Sequence, residues 1–482
     1  MRPTINKGLG LITILLLILG AVSCNKFLDV TPEDRFLQGD VFADEMSINK
    51  ALNGVYLNMA TPSLYGEQLS MGTIDLMAQY YNPKGLPPVW KDQLAVYDYS
   101  QQDVLNIFSD IWRSAYLAVL NTNSFLANVE NPQKVMADDR KDLLKGEAYG
   151  LRAFIHFDLL RLFGPVYPKE SDMAAIPYLS NPTEKIQPII TAKEVIDKVL
   201  EDLEQAEKLL KNDPIRSEGI VPTNGTDPLA DFWKLRNRRM NYYAVLALKA
   251  RVLLYKGDKA AALATATKTI KEASKWFLWT PEAKTQPGIS NPDRVFSSEV
   301  LFGLQNKEMY NSYKSLFTKE LDERIILTPL PERLEQVFEN NQNDYRYRVN
   351  WGSGAAVDKD YKIFIKYQDI ENEALLYRAL QPLIRISELY YIAAESTIDQ
   401  NTALSYINTV RKNRGLGELP VGTVVKDALQ NEYRKEFWGE GQTFFYYKRN
   451  ALTLIPGRAY SDMPMDRSKY VVPLPRTETD NR

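Results

Sequence analysis

Glu432, Glu436 and Glu440 recur every fourth residue. On a helix this spacing puts three carboxylates on one face, with Cβ atoms about 5–6 Å apart. A retaining glycosidase holds its two carboxyls about 5–5.5 Å apart, so the spacing could serve glycoside hydrolysis, with Glu432 or Glu436 as the reacting group. Arg434 and Lys435 interleave the three, however, and a solvated or ion-paired helix face accounts for the same pattern. His156 is the only histidine and Cys24 the only cysteine. A zinc site or a nucleophile–base pair needs more such side chains than that. His156, beside Arg152, Asp158 and Arg161, is therefore expected to be structural. Gly352-Ser353-Gly354 lacks the flanking strand and helix of a nucleophile elbow. The chemistry-bearing residues point away from an enzyme, and they imply no cofactor and no metal.

Cys24 suits a different chemistry, lipid attachment. Arg2 and Lys7 give a positive start, 9–22 is almost wholly apolar, and Ala21-Val22-Ser23 precede the thiol. That order is a secretory signal, 1–23. The apolar run is about 14 residues, short of the roughly 20 that span a bilayer. A cysteine at the cleavage point makes the segment a lipoprotein signal, although Ala21 stands where the lipobox usually has Leu. Two acyl chains on one thiol suffice for stable anchoring. With Cys24 so used, no disulfide can form within the chain.

The composition is that of a globular protein, with 45% hydrophobic and 25% charged residues. The net charge of −2 argues against nucleic acid, which needs a basic footprint. The 28 tyrosines are the unusual feature, and tyrosine suits surfaces that are half apolar and half wet. Several fall in the irregular stretch 66–102, with Asp75, Tyr80, Tyr81, Asn82, Trp90, Tyr97 and Tyr99. A sugar offers an apolar C–H face and a rim of hydroxyls. An aromatic ring covers the first, and a carboxylate, amide or guanidinium bonds the second. Trp90 with Asp75 or Asn82 fits that need; the same tyrosines could also serve a peptide.

The elements that must position these residues are mostly helices. Apolar residues recur at helical spacing over 46–59, 104–129, 141–163, 241–256, 259–274, 383–397, 401–414 and 426–437. Thr191 and Glu194 form a capping box for another helix reaching about 211. The hairpins 241–274 and 383–414 suggest tetratricopeptide-type units, with small residues Ala250, Gly257, Ala262 and Ala266 where helices approach closely. Residues 300–304 and 471–474 read as short strands. Arg152, Asp158 and Arg161, and Arg385 with Glu388, are expected to form ion pairs between helices. Residues 24–40 read as a lipidated tether, 41–235 and 236–482 as two halves of one compact unit.

In order, these segments resemble the SusD/RagB family of outer-membrane nutrient-uptake lipoproteins. The resemblance rests on Cys-Asn-Lys-Phe-Leu-Asp-Val-Thr-Pro-Glu (24–33), the stretch 146–164, Ser-Glu-Val-Leu-Phe-Gly-Leu-Gln (298–305), 382–396 and Val-Pro-Leu-Pro (472–475). It implies a mainly α fold: four tetratricopeptide-like helix pairs in a right-handed superhelical scaffold, with long irregular loop insertions and a few short strands. It implies a non-enzymatic lipoprotein on the outer face of the outer membrane. Such a protein binds an oligosaccharide or a peptide and delivers it to a SusC-like, TonB-dependent barrel. Ligand residues of the family often follow the Phe-x-x-Gln element, which here places Asn306, Tyr310 and Tyr313, with Trp351 further on, beside the set in 66–102. A tetratricopeptide scaffold lipoprotein and a lipid-anchored glycoside hydrolase are the competing functions.

Overall fold

A computed structural model describes residues 42–480 except 83–89, 131–134, 184, 224, 287 and 356–358. The signal segment 1–23, Cys24 and the 24–40 tether lie outside the described residues. Among the described residues, no helix is long and apolar enough to cross a membrane.

The helices begin where short polar side chains can satisfy free backbone N–H groups. Helix α1 (Glu45–Met59) is capped by Asp44, which accepts from the Ser47 amide at 2.8 Å. Helices α2 (Gln102–Asn128) and α3 (Asp138–Phe163) follow. Helix α4 (Ala192–Leu209) carries the expected capping box. Thr191 Oγ1 accepts from the Glu194 amide at 3.2 Å, and Glu194 accepts from the Thr191 amide at 2.8 Å. Asn241 caps α5 (Tyr242–Lys256) and Asp258 caps α6 (Lys259–Ala273), with Gly257 at φ +89° between them. Ala250, Ala262 and Ala266 are fully buried where the two pack. Then come α7 (Met309–Leu316), α8 (Ile386–Ser396), α9 (Gln400–Lys412), α10 (Val425–Glu436) and α11 (Thr443–Arg449).

Taken along the chain, α2, α3, α4, α5, α6, α8, α9 and α10 each pack on the one before. This gives a mainly α fold of four stacked helix pairs. Helix α7 and most of the short strands belong to the insertions between them. One hydrophobic cluster draws on side chains from Phe42 to Val472.

Helix α3 is buried on every side through its second half, charged residues included. A buried charge is tolerable only when paired, and the pairs are present. Arg152 binds Asp202 of α4 at 2.6 Å, Arg161 binds Asp158 within α3 and not across helices as expected, and Glu147 accepts from Arg236 and Arg239. Arg385 does not pair with Glu388 as expected. Arg251 of α5 takes Glu388 at 2.6 Å, and Arg385 turns to Glu436 and Glu440.

Strand β1 (Ala174–Pro177) pairs with β2 (Ile189–Thr191), and β3 (Val300–Gln305) with β6 (Leu380–Arg385). Strand β4 (Trp351–Ser353) pairs with β5 (Lys362–Phe364), and β7 (Leu454–Ile455) with β8 (Met463–Pro464); all four pairs are antiparallel. The 300–304 expectation thus corresponds to β3. Residues 383–385, expected as helix, belong instead to β6. Pro382 sits opposite Gly303 in the ladder, and Arg385 is extended at φ −116°, ψ 155°, so α8 starts only at Ile386. Residues 471–474 form no strand.

Candidate functional site

The three glutamates do share a face of α10 and its C-terminal turn, but that face reaches no solvent. Glu432, Glu436 and Glu440 are at most 4% exposed. Glu436 accepts from Arg414 at 2.6 Å, from Arg346 at 2.8 Å and from Arg385. Glu432 accepts from Arg411 at 2.6 Å, Arg346 at 3.1 Å and Lys435 at 3.2 Å. Glu440 holds Lys366 and Arg385. Burial alone would raise Glu432, but Arg346, Lys435 and Arg411 outweigh it and hold the carboxyl at about 2. Burial is likewise outweighed at Glu436 by Arg385, Arg414 and Arg346, leaving it well below the usual range. Carboxylates so neutralised, with no approach for a sugar, cannot act as acid or nucleophile. The spacing reports an ion network.

His156 is also structural. Burial lowers it to about 3, so the ring is neutral. Its Nε2 accepts from the Leu179 amide at 3.1 Å, which leaves the proton on Nδ1 to be donated to the Arg152 carbonyl at 3.0 Å. The ring stacks on Tyr178 at 3.9 Å. Among the described residues, no group of three or more His, Cys, Asp and Glu side chains could hold a metal ion.

Of the several open spaces among the described residues, two bear on ligand binding. The larger, about 1170 Å³, is a groove along α6 and the end of α4, edged by Lys211, Lys268, Lys271 and Lys275. Its one ring, Tyr243, is buried. The smaller, about 740 Å³, is a cleft in the insertions. It combines an exposed ring with amides and guanidiniums, and is the better candidate despite its size.

The β3–β6 pair builds the cleft. Strand β3 ends at Gln305 and runs through Asn306 into α7, while β6 begins just after the 366–379 loop. The two walls are therefore the two exits of one ladder. The Asn306 amide donates to the Ala379 carbonyl at 2.8 Å, and Asn306 Nδ2 donates to Gln381 Oε1 at 2.9 Å. Gln381 in turn donates to Ser70 Oγ at 3.1 Å, which ties the cleft to the first insertion. The 366–379 loop is clasped by Arg378, which bonds Asp369 at 3.1 Å and Glu373 at 2.7 Å. The Tyr377 hydroxyl donates to the Asn291 carbonyl at 2.7 Å. Arg238 and Arg294 close the third side.

Tyr310 is 37% exposed at the mouth of this cleft. Its ring stacks on Tyr313 at 6.0 Å and 16°, and Tyr313 stacks on Phe317 at 6.2 Å. Tyr310 is thus the outermost ring of a stack rooted in the core. Burial pushes the Tyr313 phenol up to about 12, against the pull of Arg294.

Other expected ligand residues are placed differently. Asp75 is fully buried and accepts from the Gly439 amide at 2.6 Å and the Gly441 amide at 3.3 Å. Gly441 has φ +67°, and a Cβ there would lie 2.1 Å from the Leu69 carbonyl oxygen. Tyr80 stacks on Trp438 at 4.1 Å and donates to the Arg434 carbonyl at 2.8 Å. Tyr81 packs against Phe317 and Trp438. These three are core residues with no surface to offer a ligand, a correction to the expectation. Tyr313 is buried too, and the Asn306 side chain is used within the fold. Asn82 and Trp90 are half-buried. Their segments rest on 325–328, where the Asn82 amide meets the Thr328 carbonyl at 2.9 Å and Lys91 Nζ the Ile325 carbonyl at 3.0 Å. Glu67 interacts with both Lys91 and Ser312, placing that region on another flank of α7. Trp351 is buried against Trp438. Sequence reasoning missed Arg238, Arg294 and Tyr377, which come from three separate segments.

The comparisons with known proteins agree with this architecture. A family model described as "Starch-binding associating with outer membrane" matches residues 26–224, and one described as "SusD family" matches residues 332–479. The chain belongs to the SusD/RagB family. SusD-like protein P38 of Formosa agariphila is 26% identical over 352 residues, a match spanning 61% of this chain and 64% of that relative. A SusD-like carbohydrate binding protein from Bacteroides vulgatus superposes with a TM-score of 0.67 at 19% identity, covering 90% of this chain and 96% of that one. A laminarin binding SusD-like protein superposes with a TM-score of 0.62 at 16% identity, covering 90% and 97%. At these identities the superpositions establish a shared fold.

Proposed function

We propose that this chain is a cell-surface glycan-binding lipoprotein, anchored through Cys24. It captures an oligosaccharide in the β3–β6 cleft and hands it unchanged to a SusC-like, TonB-dependent outer-membrane barrel. The observation that carries the reading is Tyr310, an exposed ring held by its stack on Tyr313 beside a rim of Gln305, Arg238 and Arg294. A ring fixed before binding covers a pyranose face with little entropy lost, and amides and guanidiniums suit its hydroxyls. Asn82 and Trp90, on another flank of α7, would extend the contact for a longer chain. The family descriptions and the carbohydrate-binding structural neighbours support the same ligand class. The sealed Glu432–Glu440 face speaks against hydrolysis by those residues.

The test is thermal shift and calorimetry of the full chain against soluble glycans and peptides. A ligand at about 100 times its dissociation constant adds about 2.7 kcal/mol of stability. We expect a glycan to bind saturably, to be recovered intact, and to lose affinity with Tyr310→Ala. Peptide binding with no glycan binding, or glycan binding indifferent to Tyr310, would overturn the assignment. Delivery is tested separately, by co-purification of the chain with a TonB-dependent barrel.

A further inference from the structure

The charges lining the cleft do not balance. The lining carries five cations, Arg238, Arg294, Lys307, Lys366 and Arg378, against two carboxylates, Asp369 and Glu373, which share the single charge of Arg378. Lys366 is held by Glu440 behind the wall. That leaves Arg238, Arg294 and Lys307, none of which has a carboxylate within salt-bridge distance among the described residues. Arg238 bonds only neutral oxygens, Gln305 Oε1 and the Leu376 carbonyl. Arg294 reaches the Gln368 carbonyl at 3.4 Å. The Nε of each guanidinium is shielded from solvent and has no hydrogen-bond partner.

Arg434 and Lys448 also lack a carboxylate within salt-bridge distance among the described residues, but both are closed off in the interior, whereas Arg238 and Arg294 line an open cavity. The guanidiniums of Arg236, Arg346, Arg385 and Arg414 are more deeply buried, and each meets at least two carboxylates. Partial burial works against charge on Arg238 and Arg294, lowering Arg238 to about 10. Both nonetheless keep their protons at neutral pH and concentrate positive potential in a cavity open to solvent. A charge kept half-desolvated without an internal partner is satisfied by one from outside. Guanidinium forks match the planar carboxylate and the sulfate oxyanion.

We infer that the cleft selects an acidic glycan, one bearing uronate carboxylates or sulfate esters, with Arg238, Arg294 and Lys307 reading the negative charge and Tyr310 the sugar face. This rests on the glycan reading above and narrows it to a ligand class.

The test uses matched pairs on the full chain in detergent: an oligouronate against its carboxyl-reduced counterpart, and a sulfated oligosaccharide against its desulfated counterpart. Calorimetry at low salt should find the charged member of one pair bound about tenfold more tightly or better, the worth of one charge-assisted hydrogen bond. Which pair responds tells carboxylate from sulfate. Raising salt to about 0.5 M should shrink that preference by screening. Arg294→Gln should abolish most of the preference, weakening the charged member's binding by far more than the neutral member's. Lys307→Gln, at an exposed position, should reduce it in part and guards against misfolding of the arginine variant. Equal binding of charged and neutral members, lost in Tyr310→Ala, overturns the acidic-ligand inference and keeps the glycan reading. Binding of no glycan of either kind, or of acidic peptides in their place, overturns both.

Discussion

Two regions of this molecule are rich in arginine, and they are built on opposite terms. Around α10, Glu432, Glu436 and Glu440 are enclosed by Arg346, Arg385, Arg411, Arg414 and two lysines, all buried and each of these charges answered. In the cleft, Arg238 and Arg294 meet only neutral oxygens and face an open cavity. The difference separates charge that holds the fold from charge that waits for a ligand. Removing a member should therefore affect different quantities in the two places. Glu436→Ala would take one buried carboxylate from each of Arg346, Arg385 and Arg414. Breaking a buried pair from one side costs about 3–5 kcal/mol, so we expect a loss of that size in chemical denaturation. A loss under about 1 kcal/mol would mean that the network is not the keystone its closure implies.

The same network sets an acid limit. Glutamate in the unfolded chain titrates near 4.3, roughly, whereas Glu432 is held at about 2 when folded, and Glu436 is lower than its ordinary value as well. The unfolded state then binds more protons between these values, so stability rises with pH through the window. The contribution is fully present above about pH 5 and drains as pH falls toward 2. From Glu432 alone it is on the order of 3 kcal/mol. Denaturation midpoints measured from pH 2 to 7 should show that slope, and Glu432→Gln should flatten it. A wild-type midpoint independent of pH over this range would contradict the assignment.

Tyr310→Ala belongs to the other region. The ring is the outer member of its stack and partly exposed, so its loss opens no core cavity. Stability should stay within about 0.5 kcal/mol of wild type. Glycan affinity should fall by about 1–2 kcal/mol, the scale of an anchoring aromatic at an interface. Calorimetry and a melting curve on the same variant separate the two.

The helical frame was legible because helix signals are local. Thr191 and Glu194 lie three residues apart, and their capping box formed as read. Residues 383–385 misled because the apolar pattern continues into α8, and only pairing with β3, 82 to 85 residues earlier in the chain, draws them into a strand. Asp75 looked like a loop carboxylate, yet its partners are the amides of Gly439 and Gly441, 364 and 366 positions away. The cleft was half legible. Tyr310 and Asn306 follow directly on the Phe-x-x-Gln strand, whereas Arg238, Arg294 and Tyr377 are joined only by the fold. A local hint existed in 236–239, where three of four residues are arginine. Which of them is spare could not be read from the run. Arg236 and Arg239 are clamped by Glu147, and only Arg238 is left to the cleft.

The smallest expected effect gives the sharpest contrast. Arg414→Gln and Arg294→Gln make the same chemical change in the same fold. At Arg414 the change strips Glu299 and Glu436 of a shared partner and should destabilise the chain severely. At Arg294 it removes no ion pair among the described residues and one weak bond to the Gln368 carbonyl. It also relieves a guanidinium that burial already disfavours. Stability should therefore move by no more than about 0.5 kcal/mol, in either direction. A large loss at Arg294 would mean that its charge serves the fold after all, and the two regions would then differ in degree rather than in kind.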